Sequence, residues 1–209
     1  MNAWLTRILP DVRRRDVNND LGDADRLHKR VMMLVPDEFA APARAEAGVL
    51  FRLEDTRMGA QLLIQSTYKP QIERLPDGYG EIAVKDLSAL LLRLRTGVPV
   101  HYRISANPSK RLGRSAGPRA GQIAALRGAA AEEWWVRRAA THGLAITTVT
   151  SQSQLDVQAK RSSIRHAVVR FDGSAVVQDV DLVRAAVLSG IGRGKAYGCG
   201  LLSLAMAAG

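Results

Sequence analysis

The sequence predicts an α+β protein whose two halves repeat one order of elements. Three observations carry this. Period-two alternation of apolar and polar residues opens each half, near Trp4 and again near Val98. A helix pattern and then two strand patterns follow in both. With 209 residues, the chain is long enough for one large or two small domains, each with its own core.

In the first half, Trp4, Thr6 and Ile8 alternate with Leu5, Arg7 and Leu9, a strand at the very start. The polar stretch from Asp11 to Asp20 reads as loop. Asp23 can cap a helix, because its carboxylate can accept from backbone N–H groups of the first turn. Leu27, Val31, Leu34 and Val35 then fall at i, i+4, i+7 and i+8, and Pro36 ends the run. Strands are predicted at Val49–Leu53 and Leu62–Gln65, joined by a turn containing Arg57-Met58-Gly59. The segment from Pro70 to Leu94 fits a short helix or a strand equally well.

The second half is clearer. Val98, Val100, Tyr102, Ile104 and Ala106 alternate with His101, Arg103, Ser105 and Asn107, a half-buried strand. A basic Pro/Gly/Ser-rich loop runs from Pro108 to Gly121, and Ala129 to Ala140 is a helix stopped by Gly143. Strands follow at Ala145–Thr150 and Ala167–Phe171, the latter turning at Asp172-Gly173. Asp179 opens a helix through Leu182, Ala185, Ala186 and Leu188, and a strand over Gly200–Ala205 closes the chain. Two β-α-β-β-α-β units predict tandem ferredoxin-like (RRM-like) domains, residues 1–95 and 96–209, each an antiparallel sheet with helices on one face. The repeat is one of pattern, with no sequence similarity between halves.

The formal net charge of +10 favours a polyanionic partner. Its distribution is segregated. No acid lies between Asp86 and Glu132, a span holding Arg93, Arg95, Arg103, Lys110, Arg111, Arg114, Arg119 and Arg127. A second acid-free run, Val157 to Phe171, carries Lys160, Arg161, Arg165, His166 and Arg170, and no acid follows Asp181. The lone Cys199 excludes an internal disulfide and a cysteine-based zinc site. With no apolar run of membrane-spanning length and no signal-peptide pattern, the expectation is a cytoplasmic protein without membrane contact. Ten aromatic residues are too few for a mode built on stacked unpaired bases, so phosphate contacts should dominate.

The densest motif is Gly190-Ile191-Gly192-Arg193-Gly194-Lys195-Ala196-Tyr197-Gly198-Cys199-Gly200. Five glycines in eleven residues free the backbone to approach a ligand, and Arg193 and Lys195 add charge without an acid to offset it. It is not a Walker loop, since Ala196 stands where a magnesium-binding hydroxyl is required. Nor is it a dinucleotide fingerprint, because it follows a helix and enters a strand.

His28 lies one residue past Leu27, at the border of the apolar stripe, with Asp25 one turn earlier and Arg26, Lys29 and Arg30 around it. It reads either as an idle surface histidine or as a general acid or base beside phosphate-binding cations. RNA cleavage by the ribose 2′-OH needs no obligatory metal, and the chain offers no H-x-x-x-H or H-E-x-x-H ligand set. His101, His142 and His166 are poorer candidates, on strand patterns or near a helix end.

Taken together, these motifs resemble the CasE family of CRISPR RNA endoribonucleases of type I-E systems. The resemblance rests on Trp4-Leu5-Thr6-Arg7, Arg26-Leu27-His28, the run from Arg103 to Arg111, and most specifically Gly190 to Leu204. It implies tandem ferredoxin-like domains and metal-independent cleavage of the precursor at the base of each repeat hairpin, with no cofactor. It implies products with a 5′-hydroxyl and a cyclic or simple 3′-phosphate. The implied partners are the repeat hairpin and other subunits of the type I-E surveillance complex. By motif match the catalytic histidine falls on His28. The hairpin grip falls on Arg103, Lys110, Arg111, Lys160, Arg161, Arg193 and Lys195, beside Arg26 and Lys29. One departure stands out: some members carry Tyr three residues before the histidine, where this chain has Asp25. An unperturbed carboxylate is too acidic to donate a proton at pH 7. Either His28 acts without that partner, or Tyr197 or a lysine takes its part. The rival class is a non-catalytic RNA-hairpin-binding subunit; a nucleotide-binding enzyme fits least well.

Overall fold

The computed structural model describes residues 2–36, 48–154, 157–159 and 164–207. Strands β1 (Trp4–Pro10), β2 (Leu50–Thr56), β3 (Gly59–Ser66) and β4 (Gly80–Asp86) form one antiparallel sheet in the order β2-β3-β1-β4. Between β1 and β2 the described residues include helices α1 (Arg15–Leu21) and α2 (Ala24–Met32). After β4 comes α3 (Ser88–Arg93). Strands β5 (Pro99–Ala106), β8 (Leu144–Ser153), β11 (Val169–Val177) and β12 (Ser203–Met206) form the second sheet, in the order β12-β5-β11-β8. Helix α4 (Ala129–Ala140) precedes β8, and α5 (Val180–Ser189) follows β11. Both sheets have the interleaved order of a split β-α-β, so the fold is a tandem ferredoxin-like one.

Each sheet buries one face against its own core. In the first, Ile8, Phe51, Leu62 and Ile64 from the strands meet Val17 of α1 and Leu27 and Val31 of α2. In the second, Trp135 of α4 is fully buried among Tyr102, Phe171, Ala175 and Val183. Its ring stacks on Phe171 at 5.8 Å and lies tilted to Tyr102 at 5.5 Å. Buried aromatic pairs of this kind add about 0.5–1.5 kcal/mol beyond area burial.

The polar stretch expected to be loop contains α1. Its composition hides the helix, which is held tertiarily by Val17 and by Asp20 at the junction with α2. The ambiguous segment separates into a 3₁₀ turn (Ile72–Arg74), β4 and α3. A 3₁₀ turn therefore stands where the first unit would have its second long helix. Leu91 of α3, and Leu94 just after it, pack into the second core.

The basic loop after β5 contains a two-stranded hairpin, β6 (Ser109–Arg111) and β7 (Ile123–Ala125). Beyond β8, a further pair not foreseen from sequence forms, β9 (Val157–Ala159) and β10 (Ile164–His166). The turn expected at Asp172-Gly173 is absent, and β11 runs straight through it to Val177. Glycine serves there as a close-approach site. A Cβ on Gly173 would collide with the Thr148 carbonyl and sit 2.8 Å from the Tyr102 hydroxyl.

Candidate nucleic-acid interface and active site

Two elements from distant parts of the chain meet beside α2. Its neighbours are β9, in the hairpin arm, and the 3₁₀ turn Lys195–Tyr197 inside the glycine loop. Helix α2 starts sharply because Asp23 caps it, accepting from the Asp25 and Arg26 N–H groups at 3.0 and 3.3 Å. Leu27 and Val31 bury its inner face, which leaves Arg26 and Lys29 exposed and His28 half-buried. Arg30 is otherwise engaged: its Nε donates to Asp20 at 2.7 Å, and its guanidinium lies 5.1 Å over the Tyr79 ring. The Tyr79 hydroxyl donates to the same carboxylate at 3.2 Å. Burial, then the Asp20 charge, hold that phenol well above its ordinary value, so it stays a donor. This cluster locks α1 to α2 and so fixes where the His28 helix sits.

The glycine loop is a built structure. Gly190, Gly192, Gly194, Gly198 and Gly200 all have positive φ, between 72° and 89°. A Cβ on Gly198 would stand 3.4 Å from the Phe51 ring of β2. The Ile191 N–H donates to the Gly200 carbonyl, and the Tyr197 and Cys199 N–H groups to the Gly194 carbonyl. The Gly200 N–H donates to the Ser105 carbonyl at 2.7 Å, which ties the loop to the end of β5. Burial pushes the Cys199 thiol up to about 12. Arg193 projects into solvent, whereas Lys195 Nζ donates to the Ser189 carbonyl at the end of α5 at 2.6 Å.

Both hairpins leave the second sheet at this same end. Ala106, where β5 stops, and Ser153, where β8 stops, both pair with Val169, where β11 begins. Lys110 and Arg111 on β6 are exposed there, with the Arg111 Nη1 donating to the Gly121 carbonyl at 2.8 Å. Lys160 and Arg161 lie outside the described residues. A cleft of about 770 Å³ opens between α2, β2, the end of β8 and the glycine loop, lined among others by Asp23, Leu27, Phe51, Gln152, Arg170 and Tyr197. The structure thus brings α2 and the glycine loop together, with the β6–β7 hairpin rising from the same sheet end.

Arg103 sits apart from that surface, in the groove between the sheets. It pairs with Asp172 and, at 3.5 Å, with Glu54. Burial lowers its affinity for protons, but the Asp172 and Glu54 contacts outweigh this and leave it above the ordinary value. Arg52, 2% exposed, completes the network with a 2.7 Å bond to Glu54. Sequence reasoning passed over Arg52, Glu54 and Asp172. The available signal was spacing, since Arg52-x-Glu54 on β2 and Arg170-x-Asp172 on β11 each put opposite charges on one strand face. Among the described residues no group of three or more His, Cys, Asp or Glu side chains is arranged to hold a metal ion. No helix among them is long and apolar enough to cross a membrane.

Fold and site together define a tandem ferredoxin-like protein in which a histidine-bearing helix meets a glycine loop beside one cleft. The chain belongs to the CRISPR-associated protein family, whose model, described as "CRISPR associated protein", matches residues 3–206. It is 26% identical to the CRISPR-associated endoribonuclease Cse3 of Thermus thermophilus, over 97% of this chain and 99% of that protein. The structure of that organism's Cse3 bound to an RNA representing a pre-cleavage complex superposes with a TM-score of 0.83 at 27% identity. That match covers 98% of this chain and 100% of the other. A chain in a CRISPR RNA-guided surveillance complex, pre-nicking, is 46% identical with a TM-score of 0.71, over 98% of this chain and 100% of its own.

Proposed function

We propose that this protein is the CRISPR RNA-processing endoribonuclease of its system. It would cut the precursor at the base of the repeat hairpin and stay with the product in a surveillance complex. The observation that carries the reading is the contact of α2, which bears His28, with the 3₁₀ turn of the glycine loop, beside a cleft that the two line through Leu27 and Tyr197. Relatives that span nearly the whole chain and are named for this activity support it.

The reaction follows from the residues. The ribose 2′-OH gives up its proton as its oxygen attacks the adjacent phosphorus. The P–O5′ bond breaks, and a proton is delivered to the leaving oxygen. The products are a 5′-hydroxyl and a 2′,3′-cyclic phosphate. His28 carries one of the two proton transfers, because imidazole titrates near neutrality and can act in either direction. Tyr197, which lines the same cleft, is the candidate for the other. Arg26, Lys29, Lys110, Arg111 and Arg193 are exposed cations that suit stem phosphates, with Lys195 in the glycine loop and Lys160 and Arg161 assigned by motif. Arg103 already has two carboxylate partners, and we assign it to holding the sheets together.

Labelled repeat hairpin incubated in EDTA with the wild type and with His28→Ala tests this reading. Cutting at one position by the wild type, slowed about 10²–10⁴-fold in the variant with binding kept, is the expected result. Persistent cutting of a substrate with 2′-deoxyribose at the scissile position would exclude the nucleophile. A second reading, a subunit that binds the hairpin without cutting it, draws on Asp25 standing where some relatives have Tyr. Tight binding without cleavage by the wild type would favour it.

A further inference from the structure

The charged seam between the two sheets borders the cleft through Glu54 and Arg170, and it is attached to the loop that meets α2, the helix bearing His28. Arg52 is on β2 of the first sheet, and three of its four contacts cross to the second. Its Nη1 donates to the Leu201 carbonyl at 2.9 Å and to the Arg103 carbonyl at 3.3 Å, and its Nη2 to Ser203 Oγ at 2.9 Å. The fourth contact, Nε to Glu54, keeps the fork oriented from within its own strand. Glu54 in turn accepts from Gln61 at 3.3 Å and pairs with Arg103. Asp172, which holds Arg103, also takes Arg170 Nε at 2.8 Å. Positive and negative groups therefore alternate from Arg52 through Glu54, Arg103 and Asp172 to Arg170.

The contact points explain why this matters for chemistry. Leu201 is the first residue after the glycine loop, so Arg52 grips the loop's exit. Phe51, its neighbour on β2, packs under Gly198 inside the loop. Adjacent residues of one strand thus meet the glycine loop at Gly198 and at its exit, while the Lys195–Tyr197 turn of the same loop meets α2. Glu54 lines both the inter-sheet groove and the cleft beside α2.

We propose that Arg52, oriented by Glu54, is a positioning residue that sets the glycine loop against the His28 helix, and that cleavage needs this fork. The inference rests on the nuclease reading above. A buried ion pair is weak as a source of stability, because desolvation offsets the Coulombic gain, and apolar replacement is often neutral or stabilising. What the fork supplies is direction, with bonds of fixed geometry to two strands of the other sheet at once. A lysine ammonium has no such planar fork. A misplacement of about 1 Å is enough to cost about 100-fold in rate.

The test is single-turnover cleavage of repeat hairpin RNA at saturating protein, with the dissociation constant measured separately. The variants are Arg52→Met/Glu54→Leu and Arg52→Lys. The double variant, which removes both charges together, is expected to keep its melting temperature and bind within about twofold of wild type. Its cleavage should fall about 100-fold. Arg52→Lys is expected to lose about 10-fold in rate with binding intact. Wild-type rates in either variant overturn the proposal, as does a loss of binding equal to the loss of cleavage. Should the double variant fail to fold, the lysine variant decides on the same criteria.

Absence of cleavage by the wild type would instead defeat the nuclease reading. The positioning claim is then read from spin-label distances between Lys29→Cys, exposed on α2, and Arg193→Cys, exposed in the glycine loop. A distribution broadened by Arg52→Met/Glu54→Leu supports the latch, and an unchanged one overturns it.

Discussion

Two groups of cations in this molecule do opposite things. Along the seam between the sheets, Arg52, Arg103 and Arg170 each pair closely with a carboxylate. At the end of the second sheet and on α2, Arg26, Lys29, Lys110 and Arg193 are exposed and have no ion pair with another described residue. The first group is internal scaffolding, and the second is left to whatever polyanion arrives. A net charge of +10 therefore overstates, residue by residue, how much of the chain can hold phosphate. The comparison can be broken by perturbing each group and asking whether stability or RNA binding responds.

The largest expected effect is in the seam. Arg52→Met alone leaves Glu54, 6% exposed, with only the more distant Arg103 as a cationic partner. Stripping one member from a buried pair destabilises by about 3–5 kcal/mol. Urea unfolding should show that loss, and Glu54→Leu added to it should restore much of it. Burial already holds the Arg52 guanidinium below its usual proton affinity, which is why its charge depends on that neighbour.

Alkaline pH probes the same contrast inside the glycine loop, where Cys199 is buried six residues from solvent-exposed Arg193. The folded thiol sits at about 12 against an ordinary 9.0, so between those values the unfolded chain releases a proton that the native one retains. The unfolded state then binds fewer protons, the slope of stability against pH is negative, and stability falls as pH rises from about 9 to about 12. Chemical unfolding at pH 8, 9.5 and 10.5 should show that decline, and Cys199→Ala should flatten it. Thiol reagents at pH 8 should leave the native protein unlabelled and react once it unfolds.

How far the sequence carried depended on whether the information was local. Alternation over residues 98–107, the Asp23 and Asp179 caps and the run of alanines before Trp134 are local signals, and the elements they marked formed there. Helix α1 was invisible because its stability comes from Val17 in the core and Asp20 against Arg30, contacts that composition does not show. The turn expected at Asp172-Gly173 failed because glycine there answers a neighbouring strand's approach, a tertiary demand with the same local appearance as a turn. For the site, His28 and the glycine loop could be marked by motif, since cap, stripe and glycine spacing are written in order. That Arg52 bridges to the second sheet could not, because Arg52 and its acceptors Leu201 and Ser203 lie about 150 residues apart.

Arg103→Ala separates the two groups at a smaller scale, since the side chain is 41% exposed and partly screened. A loss of about 1 kcal/mol is expected, with the salt dependence of hairpin binding unchanged. A flatter salt dependence would move Arg103 into the phosphate-binding group.

The smallest stability effects belong to the exposed cations, and there the response should invert. Arg193→Ala and Lys110→Ala remove solvated side chains without a carboxylate partner among the described residues, so unfolding free energies should stay within about 0.5 kcal/mol of wild type. Each releases one fewer counterion on binding if its side chain meets a phosphate. The slope of log K against log salt should therefore shrink by just under one unit per substitution. Titration of the hairpin across a range of potassium chloride concentrations measures it directly. The two substitutions should add, because the glycine loop and the β6–β7 hairpin are separate elements with separate phosphates to meet. An unchanged slope for Lys110→Ala alone would confine the grip to the glycine loop and α2, and leave the hairpin that carries it to another partner.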